Sequence, residues 1–295
     1  MIGLRQHSVR DAASYADACA RHRWRIPEDY GIAADCVDRQ PPDGLALLYE
    51  DDEGRHERYT FGELAELSRR LANALRALGV ARGEVVAIHL PQRPETAIAH
   101  LACYRLGAIA LPALRHVIAA DGAGPGAVDF WPLLRRGAGD FLPDRPARAE
   151  DPVLLMYTSG TTGNPKGVLH AARFVLGHNG VDYAYNFLRP DDMYYSPADW
   201  TWVAGLLNGL LAIWPHGLPV LAYRSNARFD PDRALALMAR HGASVGLLPS
   251  TVLKALREVP QPRRRHPGLR LRCVASGGEP VSPAIAHWSR AELGA

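Results

Sequence analysis

The sequence predicts an α/β fold, a mostly parallel sheet covered by helices. Two observations carry it. Apolar residues recur at three- and four-residue steps in some segments, marking amphipathic helices, while short continuous apolar runs between them have the length of buried strands. The breaks between the two kinds of segment fall on Gly, Pro and small polar residues that start or stop helices. Strands alternating with helices form βαβ units, whose sheets bind ligands beyond the carboxyl ends of the strands.

The elements follow in order. Thr60 and Glu63 have capping-box spacing, and Phe61, Leu64, Leu67, Leu71, Leu75 and Leu78 then line one helical face until Gly79. GEVVAIHLP reads as a buried strand, followed by a helix from Pro94 to Gly107 and a second strand, AIALP. Residues 120–150 are rich in Gly, Pro, Asp and Arg and read as a surface connector with one short helix around Trp131 to Arg135. The pattern returns where Asp230 caps a helix opened by Pro231 and closed by Gly242, before the strand ASVGLLP. It returns again in LRLRCVAS, a GG turn, and a helix capped by Ser282 with Pro283 at its first position. The divisions expected are 1–119, a βαβ subdomain; 120–150, the connector; and 151–295, a second subdomain.

Composition removes several function classes. With 47% hydrophobic residues in 295 the chain can bury a core, and a formal charge of +3 gives no polyanion signal. The basic run RRRHPGLRLR lacks interleaved aromatics and reads as a solvated, proline-flanked loop, so no nucleic-acid partner is expected. Cys19, Cys36, Cys103 and Cys273 lie far apart without a CxxC pair, which suits reduced, mostly buried thiols in the cytoplasm. The twelve histidines show no ligand spacing, so no metal site is assigned. The longest apolar stretch, VAGLLNGLLAIW, is too short to span a bilayer.

The most informative segment is YTSGTTGNPKGVLH, residues 157–170. An apolar run, VLLMY, leads into four hydroxyls, several unhindered backbone N–H groups and the ammonium of Lys166, which are the donors a polyphosphate needs. Lys166 is one of only two lysines, the other being Lys254. A plain surface turn would account for the glycines and hydroxyls equally well. The Walker P-loop pattern fails, because Pro165 precedes and Gly167 follows the lysine.

YTSGTTGNPKGVLH closely resembles the phosphate-loop signature of the adenylate-forming superfamily of acyl-CoA synthetases, luciferases and peptide-synthetase adenylation domains. ASGGEP (275–280) resembles the adenine-side segment of acetyl- and medium-chain acyl-CoA synthetases. ADWTWVAGLLNGLLAIWPHGLPVLAY resembles their acyl-pocket and core segment, and YTFGELAELSRRLANALRALGV their opening helix. The resemblance implies the large N-terminal domain of that family and a reaction using Mg·ATP, a small carboxylic acid and CoA. It implies phosphate contacts from Thr158, Ser159, Gly160, Thr161, Thr162, Gly163 and Lys166, with Lys166 and Thr161 the catalytic pair. Gly278, Glu279 and Pro280 would border the adenine. Trp200, Trp202 and Gly205 are candidates for the acyl-pocket wall, although for the tryptophans ordinary core packing is the competing role, and Glu279 could equally be a plain loop carboxylate.

The sequence also departs from the family. It stops at ELGA, one strand short of where relatives carry an aromatic-Gly-x-Thr-Glu motif, so the fold is expected to be incomplete and turnover by this chain alone is in doubt. Within YRLGAIALPALRHVIAADG, Pro112 meets Ala113 where relatives insert a helix and a strand, which implies an internal deletion. A non-catalytic nucleotide-binding remnant is therefore the rival reading.

Overall fold

A computed structural model describes residues 12–24, 26–109, 116–158, 166–178, 181–185, 188–225 and 228–295. Its main layer is a six-stranded sheet. The strands are β1 (Leu45–Asp51), β2 (His56–Thr60), β7 (Tyr194–Tyr195), β8 (Val220–Arg224), β9 (Val245–Leu247) and β10 (Cys273–Ala275). Their spatial order is β10-β9-β7-β8-β1-β2, every neighbour parallel except the β1–β2 hairpin at one edge. Two small sheets stand apart, a parallel pair of β3 (Val117–Ala119) and β4 (Ala127–Asp129), and an antiparallel pair of β5 (Pro152–Thr158) and β6 (Lys166–Ala171).

The helix Phe61–Ala77 begins as its sequence dictates. Thr60 Oγ1 accepts from the Glu63 amide at 3.1 Å, and Glu63 Oε2 accepts in return from the Thr60 amide at 2.7 Å. Its face of Phe61, Leu64, Leu71 and Leu75 is buried. The helix Pro94–Leu106 packs on it and is buried almost all round. On the far side of the sheet, Asp230 accepts from the amides of Asp232 and Arg233 to start Pro231–His241, and Gly242 ends that helix at φ 66°. Two cores result. One gathers around the two N-terminal helices and Trp214, whose Nε1 donates to the Ala46 carbonyl at 3.0 Å. The other lies beneath Pro231–His241 and Ser250–Arg257.

Three expectations need correction. GEVVAIHLP is not a regular strand: among the described residues, 84–90 hold one parallel bridge, Val85 to Ile109, and alternate side chains are exposed. A parallel strand is stable only when paired and covered on both faces. Here one face, Val86 and Ile88, packs on the core, while Val85 is open. Most of AIALP and the join at Pro112 and Ala113 lie outside the described residues. Second, the connector holds a short strand, β4, that its composition does not announce, beside the expected helix, which runs Phe130–Arg136. Third, the basic run is not simply a solvated loop. Pro262–Arg265 forms a helical turn, Arg265 pairs with Asp232 at 2.9 Å, and Arg272 is bound to the buried carboxylate of Asp192. Of the cysteines, Cys36 and Cys103 are buried, Cys273 is half-buried and Cys19 is exposed. Among the described residues no helix is long and apolar enough to cross a membrane.

Candidate functional site

The glycine-hydroxyl segment is flanked by two paired strands. β5 and β6 pair from Pro152 with Ala171 to Thr158 with Lys166, so residues 159–165 connect two chain ends locked opposite each other. Ser159, Gly160, Thr161, Thr162 and Gly163 lie in that connection, outside the described residues. Thr158 and Lys166 flank it as the last pair of the ladder. Lys166 opens a strand antiparallel to VLLMY that KGVLHA does not signal, since it holds neither a continuous apolar run nor strict alternation.

The β5–β6 pair is buried at its start and exposed toward its far end. Val153 and Leu154 are buried with Ala172, Val175 and Leu176, which follow β6. Asp151, just before β5, accepts from Arg145 at 2.7 Å, Arg82 at 3.1 Å and the Arg148 amide at 2.9 Å, while its carbonyl accepts from the Ala172 amide at 2.8 Å. Partial burial works against the Asp151 charge, but these donors outweigh it and hold the carboxyl below its usual range. Toward the far end, Tyr157, Val168 and Leu169 are exposed.

The second candidate element follows β10 at the carboxyl edge of the main sheet. β10 is positioned by its pairing with β9 and by the Arg272–Asp192 ion pair at its start. Burial opposes ionisation of Asp192, but Arg272 and a 2.6 Å hydrogen bond from the Ser244 hydroxyl keep it ionised and its pKa lowered. Beyond Ala275 the chain turns through Ser276 to Pro280, with Gly278 at φ 87°, a conformation that strains any side chain. A Cβ at Gly277 or Gly278 would meet nothing within 4 Å, so the turn borders open space. Glu279 is exposed and lies 3.8 Å from Lys254 Nζ, and the Pro280 carbonyl accepts from the Ser250 hydroxyl at 3.3 Å.

The tryptophan segment divides. Trp200 is fully buried, whereas Trp202 is 73% exposed. Between them the chain makes a tight turn in which the Trp202 amide donates to the Asp199 carbonyl at 3.2 Å. Gly205 passes so close to it that a Cβ would stand 2.0 Å from the Asp199 oxygen, so only glycine fits. Trp200 therefore occupies a core position, while Trp202 faces outward. Beside Asp199, at the ends of β7 and β8, Gln92, Tyr195, Tyr223 and Arg224 line a cleft of about 180 Å³.

A mostly parallel sheet with a glycine turn at the carboxyl end of one strand, beside an antiparallel pair flanking a hydroxyl- and glycine-rich segment, belongs to the α/β class whose ligands bind beyond strand ends. The family model described as AMP-binding enzyme matches residues 34–123 and 114–295, and the chain belongs to that family. It is 30% identical to an acetyl-coenzyme A synthetase of Shewanella sp. (strain ANA-3), over 92% of this chain and 52% of that one. It is 28% identical to acetyl-coenzyme A synthetase 2 of Candida glabrata, over 92% and 49%. The chain thus spans about half the length of the curated relatives it matches. Its fold is that of a Brucella canis acyl-CoA synthetase (TM-score 0.81, 24% identity, 95% of this chain and 60% of the other). It is equally similar to the anthranilate CoA ligase AuaEII solved with anthranoyl-AMP (TM-score 0.81, 21% identity, 91% and 59%). The Shewanella alignment runs over 339 positions yet takes up only 92% of these 295 residues, so several dozen positions of the relative have no counterpart here. The family match also breaks into two pieces that meet at 114–123, beside the expected deletion.

Proposed function

We propose that the chain is part of an AMP-forming acyl-CoA synthetase. In this reading a carboxylate oxygen attacks the α-phosphorus of Mg·ATP, the bond to the β-phosphate oxygen breaks, and acyl-adenylate and pyrophosphate form. The CoA thiol then adds to the acyl carbon, losing its proton, and AMP leaves. The observation that carries this is the segment from Tyr157 to His170 on an anchored hairpin, within a chain of the AMP-binding family whose curated relatives are acetyl-coenzyme A synthetases.

Thr158, Ser159, Gly160, Thr161, Thr162, Gly163 and Lys166 bind the phosphates, with Lys166 offsetting charge on the departing pyrophosphate and Thr161 donating beside it. Gly278, Glu279 and Pro280 border the adenine. Trp202 and the Gly205 turn stand by the acyl group, with Trp200 supporting them from the core. Mg²⁺ bound with ATP would supply charge neutralisation at the phosphates. The partners are a small carboxylic acid and CoA, and the setting is cytoplasmic.

The positions missing relative to the Shewanella enzyme favour a second reading, a nucleotide-binding protein without turnover. Pyrophosphate release with a panel of carboxylic acids separates the two. Acid-dependent release lost in Lys166→Ala supports the ligase; ATP binding without release under any acid supports the second reading.

A further inference from the structure

We infer that Ser250 and Lys254, on the helix Ser250–Arg257, are positioning residues that aim the Ser276–Pro280 turn at the nucleobase. This rests on the nucleotide reading above and adds residues to it that the phosphate-loop and adenine-side motifs do not contain.

The turn has little packing of its own. Its two glycines face open space, and Glu279 is exposed. It is tied instead to the unit that follows β9. The Leu248 amide donates to the Ala275 carbonyl at 3.0 Å, fixing where the turn leaves the sheet. The hydroxyl of Ser250, itself only 1% exposed, donates to the Pro280 carbonyl at 3.3 Å, fixing where it ends. One helical turn further on, Lys254 reaches Glu279. Ser250 and Lys254 are four residues apart and so share a face of the helix. That spacing lets one rigid element hold both the backbone and the side chain of the turn.

The magnitudes separate positioning from support. An ion pair this long and this exposed contributes little to stability, so Lys254 is not there to hold the fold. What it can do is restrict the direction of a carboxylate on an otherwise unpacked turn.

The test compares the affinities of ATP and inorganic tripolyphosphate, measured by calorimetry with Mg²⁺ on the full 295-residue chain. Tripolyphosphate reads the phosphate loop alone; the excess affinity of ATP reads the adenine side. Lys254→Ala should lower ATP affinity roughly 3- to 10-fold, leave tripolyphosphate unchanged and leave the melting temperature unchanged, and Lys254→Arg should restore ATP binding. Ser250→Ala should act in the same sense. Unchanged ATP affinity in both alanine variants, or an equal loss for both ligands, would overturn the positioning role. If the unsubstituted chain binds neither ligand in a Lys166-dependent way, the nucleotide reading itself fails, and this inference with it.

Discussion

Acidification from pH 7 to pH 5 should destabilise this protein through one buried histidine. His100 sits on the helix Pro94–Leu106, only 6% exposed, with the Tyr104 hydroxyl 3.2 Å from Nδ1, placed to donate to a neutral ring. Burial pushes its pKa down from 6.5 to about 4. The folded value is depressed, so between these two values the unfolded chain binds a proton that the folded chain does not. Stability from this group is therefore intact above about pH 6.5 and is lost as pH falls toward 4. At about 1.4 kcal/mol per pKa unit, the full loss is about 3 kcal/mol, of which about 2 kcal/mol falls between pH 7 and 5. That is a large part of a typical domain's 5–15 kcal/mol or so. Urea denaturation of the wild type and His100→Gln at both pH values measures it, each protein being compared with itself so that any packing cost of the substitution cancels. The variant's pH-dependent loss should be smaller by about 2 kcal/mol. Equal losses would show that His100 is not the group responsible. His178, also lowered by burial but partly held up by the Phe174 carbonyl, titrates alike in both proteins.

Gly205→Ala should lower stability by about 1 to 3 kcal/mol, because its Cβ would meet the Asp199 backbone oxygen at 2.0 Å; an unchanged thermal melt would mean the 199–205 turn relaxes freely. Limited proteolysis with mass spectrometry should give its earliest cuts between residues 105 and 150, where β3 and β4 are three residues each and Leu142 is 80% exposed. First cuts within Pro231–His241 or Phe61–Ala77 instead would contradict the assignment of the stable cores.

The elements legible in the sequence are those whose signals are local. Thr60 with Glu63, Asp230 with Pro231 and Gly242, and Ser282 with Pro283 each mark a helix end through contacts within one turn, and the structure places helix ends there. GEVVAIHLP is less legible, because regular strand structure depends on pairing that its own apolar composition does not specify. The same difference governs the site. The proposed phosphate segment is a contiguous motif, but the anchor of the strand before it, Asp151 with Arg82 and Arg145, is assembled across 69 and 6 residues of sequence. Ser250 and Lys254 were equally hidden, since nothing near them in sequence points to Pro280 or Glu279. Trp200 and Trp202 look alike in ADWTW, and only the turn that buries one and exposes the other tells them apart.

The central claim is that the hairpin loop ending on Lys166 binds nucleotide phosphates. Calorimetric titration of Mg·ATP into the 295-residue chain and its Lys166→Ala variant tests it most directly, with a thermal melt of each as control. A lysine on an exposed strand end contributes little to a core, so the two melts should agree within about 0.5 kcal/mol. Loss of one charge-assisted contact of about 1.5 to 3 kcal/mol should weaken ATP binding about 10- to 150-fold in the variant. Equal ATP affinity in two equally stable proteins would contradict the claim.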